Sequence, residues 1–341
     1  MDLVSHAVLG AAIGEAMAGR RAGRRAMAVG ATAALLPDLD ALGHFFLSDA
    51  EQLVFHRGIT HSLLICALIP PLIAWLLMRF RGFQTMPWLS WAALLWVGMA
   101  SHLALDICTC YGTGLLEPFS HARYSLDSIF VADPLYTLPL LIGWIVVMFS
   151  KQHPVRRMRW NYAGIVLSSL YLLWAQWNHA RVHSRMEESL TAQHPRHGQL
   201  TVTPTPLNNV LWMGFAPDSN GYWMGFHSLL DSDDPIDFEW LPQQDSLLNR
   251  VPPHPEVALL REFTMGHYVL TAEGDDVYLN DLRFGYADRW DAPGTVFALR
   301  YNLKPGADNS HPLDRMRFRE SSWTILSRIW ERACGKSRRS G

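Results

Sequence analysis

Sixteen consecutive residues, Leu63 to Met78, carry no charge, and as a helix they span or nearly span a bilayer core of about 30 Å. Pro70 and Pro71 kink such a helix without ending it, because neighbouring helices satisfy the freed backbone groups. Trp88 to Leu105, Pro134 to Ser150 and Trp160 to Trp177 repeat the pattern. Two shorter apolar segments, Leu3 to Ala18 and Ala26 to Leu36, precede these runs. Pro37 marks the end of the second, since the residue before a proline resists the helical conformation. The expectation is six membrane-associated helices, the first two short or tilted.

Apolar residues crowd the first half of the 341-residue chain, and acidic and proline-containing segments dominate the second. The fold class read from this shift is a mainly α-helical multi-span membrane domain followed by a smaller α+β soluble domain with a mostly antiparallel sheet. Residues 1–180 form the membrane domain. Residues 181–206 are a helix extension with a stiff proline-rich linker, Thr201 to Pro206. Residues 207–320 are the soluble domain, and 321–341 a terminal helix and basic tail. Asn209 to Phe215 and Gly221 to Ser228 read as two strands around Asn220-Gly221, a strong hairpin signal. Ile236 to Leu241, His267 to Ala272, Asp276 to Leu279 and Thr295 to Leu303 add strands, and Glu256 to Phe263 a helix. Asp281-Leu-Arg283 reads as a structural salt bridge or a substrate contact.

The formal net charge of −2 supplies no basic surplus to neutralise phosphates, so no nucleic-acid partner is expected. Four cysteines at these spacings form neither a zinc ribbon nor a disulfide framework. Basic residues instead cluster at Arg20 to Arg25, Arg79 to Arg81 and Lys151 to Arg159. If all three lie in the cytoplasm, alternation of the spans sends His6, Asp38, Asp40, His56, His61, His102, Asp106 and Asp133 together to the opposite face.

Those residues carry the chemistry. Imidazoles and carboxylates sit beside strongly apolar sequence, where an unpaired polar group costs several kcal/mol. A divalent ion such as Zn²⁺ takes neutral imidazole and carboxylate together. The competing reading makes each histidine a hydrogen-bonded core residue, each aspartate a helix cap, and His102 with Asp106 a simple i,i+4 hydrogen-bonded pair. Residues 109–133 are too long and polar for a simple turn and read as a functional loop, with Arg123, Tyr124 and Asp127 as further candidates. His183 and Glu187, flanked by Arg181 and Arg185, read as a solvated face.

The strings Met1-Asp-Leu-Val-Ser-His6, Leu36-Pro-Asp-Leu-Asp40, His56-Arg-Gly-Ile-Thr-His-Ser62, His102-Leu-Ala-Leu-Asp106 and Gly112-Thr-Gly-Leu-Leu-Glu-Pro-Phe resemble the YbcI/YdjM-like family of membrane-bound metal-dependent hydrolases. That resemblance implies a bacterial inner-membrane protein. More distantly, the order His6, Asp38, His61, His102, Asp106 is similar to the zinc-dependent phospholipase C and S1/P1 nuclease superfamily, whose later His-x3-Glu would fall on His183 and Glu187. The departures are the intervening spacings and the free N-terminal amine, which is not expected as a ligand here with Met1 in place.

The reading is a hydrolase of phosphoester or lipid-type substrates, with metal ligands among His6, Asp38, His56, His61, His102 and Asp106. Asp40 or Asp133 serves as general base, and Arg57 steadies an anionic oxygen. Membrane lipids are the expected partners, and the site and C-terminal domain face the periplasm. The alternative is a non-enzymatic, metal-stabilised membrane scaffold or envelope sensor.

Overall fold

A computed structural model of the chain describes residues 1–150, 154–232, 234–286, 290, 296–303 and 322–334. A helical N-terminal region is followed by a C-terminal part built on antiparallel sheets. The chain divides into two compact units. One comprises Met1–Leu42 and Phe55–Gln176, the other Gly43–Val54 and the described residues from Trp177 onward.

The helical unit begins with α1 (Leu3–Ala22), whose first turn is capped by the Asp2 carboxylate accepting from the Val4 and Ser5 N–H groups. α2 (Arg24–Leu35) returns against it after Gly23. The two pack backbone to backbone: a Cβ on Gly10 would lie 2.3 Å from the Gly30 carbonyl oxygen, and one on Gly30 2.1 Å from that of Gly10. Small residues are the condition of this approach. Pro37 then ends α2, and Pro37–Phe45 continues as a 3-10 helix bent by 57° from it. α3 (Asp49–Phe55) and the 3-10 turn Ile59–His61 lead into α4 (Leu63–Leu77), and α5 (Trp88–Ile107) packs against α1, α2 and α4. A long connection reaches α6 (Pro134–Phe149), and α7 (Pro154–Gln193) runs on from the first unit into the second.

Among the described residues, α5 alone is long and apolar enough to cross a membrane by itself, or up to three spans are present if each bent pair of helices counts as one; α6 is a shorter apolar helix. Leu68, Leu72 and Trp75 on α4, Leu135, Leu138 and Ile142 on α6, and Val166, Leu170 and Leu173 on α7 are all exposed. The basic segments meet at one end of this unit. Arg25 donates to the Gly82 carbonyl, Arg24 to the Met148 carbonyl, and Arg157 pairs with the buried Glu15.

The second unit holds a four-stranded antiparallel sheet in chain order, β1 (Thr201–Pro204), β2 (Leu211–Asp218), β3 (Gly221–Ser228) and β4 (Phe238–Pro242). A three-stranded sheet follows, β5 (Tyr268–Glu273), β6 (Asp276–Asp281) and β7 (Arg300–Asn302), with α8 (Pro255–Phe263) between the sheets and α9 (Ser322–Ala333) after them. Two expectations change here. Thr201 to Pro204, read as linker, pairs with β2 as an edge strand, where Pro204 needs no N–H partner on its outer side. The hairpin turns at Ser219-Asn220, so Gly221 opens β3, and a Cβ there would stand 2.4 Å from the Leu241 carbonyl oxygen. Arg283 grips Asp281 in a buried salt bridge. Part of the expected Thr295 to Leu303 strand and the Lys336 to Arg339 tail lie outside the described residues.

Candidate metal centre

Four elements deliver the motif residues to one end of the helical unit. α1 carries His6 one turn from its start, and the 3-10 helix that Pro37 begins carries Asp38 and Asp40. The turn Ile59–His61 stops at Ser62, whose hydroxyl caps α4 by accepting from the Ile65 N–H. The last turns of α5 place His102 and Asp106 on one face. The 109–133 connection is tied to the same turn: Gly114 N–H donates to the Arg57 carbonyl, Leu63 N–H to the Leu115 carbonyl, and Arg123 to the carbonyls of His56 and Gly112.

His6, His61, His102 and Asp106 are fully buried, and the imidazole protons can be placed by elimination. His102 Nδ1 lies 2.6 Å from the Ala34 carbonyl oxygen, which only accepts, so this nitrogen carries the hydrogen. The Thr60 hydroxyl donates its one hydrogen to Asp40 Oδ2 at 2.9 Å, so His61 Nδ1, 3.0 Å from the same hydroxyl, donates to it. Both Nε2 atoms are then lone-pair bearing in the neutral rings, yet they face one another at 3.0 Å. A proton or a cation must lie between them.

The surroundings favour a cation. Asp38 Oδ1 lies 3.6 Å from each of these nitrogens, and Asp106 Oδ2 lies 3.4 Å from His61 Nε2 and 3.3 Å from His102 Nε2. An ion with bonds of about 2.0–2.1 Å holds tetrahedral ligand atoms about 3.3–3.4 Å apart. His61 Nε2, His102 Nε2 and Asp106 Oδ2, 3.0–3.4 Å from one another, make a three-donor group of the spacing such an ion needs, with donors suited to a borderline divalent ion. Among the described residues, His6 Nδ1 is buried without a hydrogen-bond partner, and Asp106 Oδ2 has an ion pair with Arg57 but no hydrogen bond. The residues fit a metal ion. His6, Asp38 and His102 form a second, overlapping group, and Asp38, Asp40 and His56 a third.

The other candidates take different places. His6 Nε2 lies 3.1 Å from Asp106 Oδ1, and the ring stacks on His102 at 3.7 Å. Arg57 is turned inward, with Nε 3.1 Å from Asp106 Oδ2 and Nη1 donating to Thr109, so it neutralises the carboxylate and does not face solvent. Asp40 accepts from His56, Arg57 N–H and Thr60. Asp133 stands apart from the cluster and caps α6, accepting from Leu135 N–H, Tyr136 N–H and the Tyr171 hydroxyl. Burial pushes its carboxyl above the ordinary range. His183, in the sheet-bearing unit, meets the Leu200 carbonyl. The Met1 amine, not expected as a ligand, pairs instead with Asp106 Oδ1, and the Ala34 carbonyl is a partner that no motif could signal. The sides that keep some exposure are Asp38, at 12%, and His56, at 28%.

Comparison with known proteins covers the same helical region. The family model described as YdjM inner membrane protein matches residues 1–182. Inner membrane protein YbcI of Escherichia coli (strain K12) is 32% identical over 125 residues, 36% of this chain and 70% of YbcI. The uncharacterized protein YfhP of Bacillus subtilis (strain 168) is 29% identical over 183 residues, 51% of each chain, so the match spans about half of YfhP. No solved structure matches.

Proposed function

This chain belongs to the YdjM family of inner membrane proteins, and from that premise we propose that it is a multi-pass, metal-dependent hydrolase of phosphoester or lipid-headgroup substrates. The observation that carries the reading is the convergence of His61 Nε2, His102 Nε2 and Asp106 Oδ2 within 3.0–3.4 Å of one another, with Asp38 Oδ1 3.6 Å from both nitrogens. A bound Zn²⁺-type ion would lower the pKa of a water toward neutrality and polarise the ester under attack. His61 and His102 would hold such an ion through Nε2. Asp106 is fixed behind them by His6, Arg57 and the Met1 amine. Asp38, partly open to solvent, is the carboxylate a substrate would meet first. The substrate class rests on resemblance to zinc-dependent phosphoesterases.

The topology reading has its own support. The basic loops gather at one end of the helical unit, α1 carries Arg20 about fourteen residues beyond His6, roughly 21 Å along a helix, and apolar side chains stand exposed between. Basic loops in the cytoplasm put the site at the periplasmic face, where it avoids the cost of charge at the bilayer centre.

The test is elemental analysis of purified protein beside His61→Ala and His102→Ala, followed by assays on phosphodiesters and on phospholipid vesicles. The expectation is one or more divalent ions per wild-type chain, lost in both variants together with hydrolysis. Unchanged metal content in both variants overturns the site. A terminal tag protected from outside reagents overturns the topology. Complete burial of His61, His102 and Asp106 favours a second reading, a metal-stabilised scaffold or sensor. Bound metal with no hydrolysis of any ester in the panel would select it.

A further inference from the structure

Asp40 is the most heavily engaged carboxylate at the edge of the ligand set. Its Oδ1 lies 2.8 Å from His56 Nδ1. Its Oδ2 accepts from the Arg57 N–H at 3.0 Å and the Thr60 hydroxyl at 2.9 Å, and stands 3.3 Å from His61 Nδ1. Arg57 reaches this arrangement with φ of 59°, a left-handed conformation that non-glycine residues seldom adopt. The turn is bent so that consecutive donors converge on one buried side chain.

We propose that Asp40 is a positioning residue that sets the tautomer of two imidazoles at once, His61 inside the ligand set and His56 at its rim. The inference rests on the ligand set above and assigns Asp40 a task other than base or ligand. On His56 the carboxylate accepts from Nδ1 itself, and on His61 it takes the hydrogen of the Thr60 hydroxyl so that this oxygen accepts from Nδ1; each keeps the hydrogen on Nδ1, leaves Nε2 as the donor atom and fixes the ring's rotation. For His61, that Nε2 is the atom facing His102 and Asp38. For His56, it is the free nitrogen of a half-buried ring held edge-on to Tyr111 and to His61. The two rings are thereby coupled through one carboxylate, so a change at Asp40 reaches both sides of the site while leaving the proposed ligands intact. The rival assignment is a second ion held by Asp38, Asp40 and His56, whose donor atoms lie within 4.8 Å of one another. The three donors already on Asp40 argue against it, because an ion there would displace the His56 Nδ1–H, the Arg57 N–H and the Thr60 O–H.

The experiment uses the full-length protein in detergent, ¹⁵N-labelled at histidine, with Asp40→Asn, Asp40→Glu and His56→Gln. Zinc affinity is read by chelator competition, and tautomers by the ring ¹⁵N shifts of the zinc-bound and metal-stripped protein. The expected result is a loss of zinc affinity of about 10–100-fold in Asp40→Asn, the effect of removing an outer carboxylate from a ligating histidine. His56 and His61 both lose their fixed Nδ1–H signature in that variant. Asp40→Glu recovers part of the affinity, and His56→Gln, outside the ligand set, keeps the wild-type ion count. Wild-type affinity and both Nδ1–H signatures retained in Asp40→Asn would overturn the proposal. So would two ions in the wild type falling to one in both Asp40→Asn and His56→Gln, which assigns these residues to a second ion. If the wild type binds no zinc, the ligand set fails, while the metal-stripped tautomer signals still decide the role of Asp40. If Asp40→Asn does not fold, Thr60→Val removes one donor and one acceptor of the same network. It is then expected to unfix His61 and leave His56 fixed, and the reverse pattern counts against the proposal.

Discussion

The two units bury charge in opposite ways. In the sheet-bearing unit, Arg283 holds Asp281 by two parallel contacts, Nε to Oδ1 at 3.0 Å and Nη2 to Oδ2 at 2.6 Å, both side chains almost wholly buried. The guanidinium fork matches the carboxylate, and the protein completes the pairing by itself. In the helical unit, two imidazole nitrogens with lone pairs face each other at 3.0 Å, and the buried His6 Nδ1 lacks a hydrogen-bond partner among the described residues. A buried polar group is costly unless paired. The difference separates charge that supports a fold from charge arranged for something the chain alone does not provide.

The sharpest way to break this comparison is to unpair the closed site. Asp281→Asn leaves Arg283 buried without its counter-charge, and the expected destabilisation of the sheet-bearing unit is about 3–5 kcal/mol. Hydrogen exchange of β5 and β6 amides reads it, with bound metal unchanged. Removing the ion is the converse. With free metal near a thousand times its dissociation constant, a chelator withdraws about 4 kcal/mol of stabilisation. Protection is then lost in α1 and α5 and kept in β5 and β6. Equal loss in both units would contradict the contrast.

A smaller effect tests how the open site is held together. Gly30→Ala places a methyl group against the Gly10 carbonyl. Overpacking of this kind costs about 1–3 kcal/mol. Because α1 and α2 respectively bring in His6 and the start of the Asp38 turn, zinc affinity is expected to fall along with the melting temperature. A melting temperature that falls with affinity unchanged would show that the helix pair does not set the site's spacing.

The sequence made visible whatever depends on residue type and interval. Uncharged runs place α4, α5 and α6, since hydrophobic length is itself the signal. The motifs name the imidazoles and carboxylates that converge, because such a group in apolar sequence requires a partner. Direction and partner choice were not visible. Nothing in the string His56-Arg57 says that Arg57 takes a left-handed turn and points inward to Asp106. Nothing in Pro37-Asp38-Leu39-Asp40 distinguishes the carboxylate near His61 Nε2 from the one on Nδ1. Asp133 looked chemical because it closes a polar loop, yet three donors make it the cap of α6. Thr201 to Pro204 looked like linker because prolines dominated the reading over the β-forming Thr-Val-Thr, and an edge position tolerates the proline.

The smallest effect concerns a closed pair nearer the surface. Arg332 on α9 reaches Asp231 by two hydrogen bonds of 2.7 and 2.8 Å. Burial alone would raise the Asp231 carboxyl, but these bonds, the Ser228 N–H at 2.8 Å and His227 at 3.7 Å together hold it below the ordinary carboxylate range. A carboxyl depressed by folding contributes stability above its unfolded pKa, near 4 for aspartate, and loses it as pH falls through the lower folded value. The pair is partly solvated, so about 0.2–1 kcal/mol is expected. Fluorescence of the exposed Trp330 on α9 therefore reports an acid transition below about pH 4. Asp231→Asn lowers stability at neutral pH and flattens that acid limb, since no carboxyl remains to titrate. An acid limb unchanged in this variant would place the titrating group elsewhere and leave the pair with packing alone.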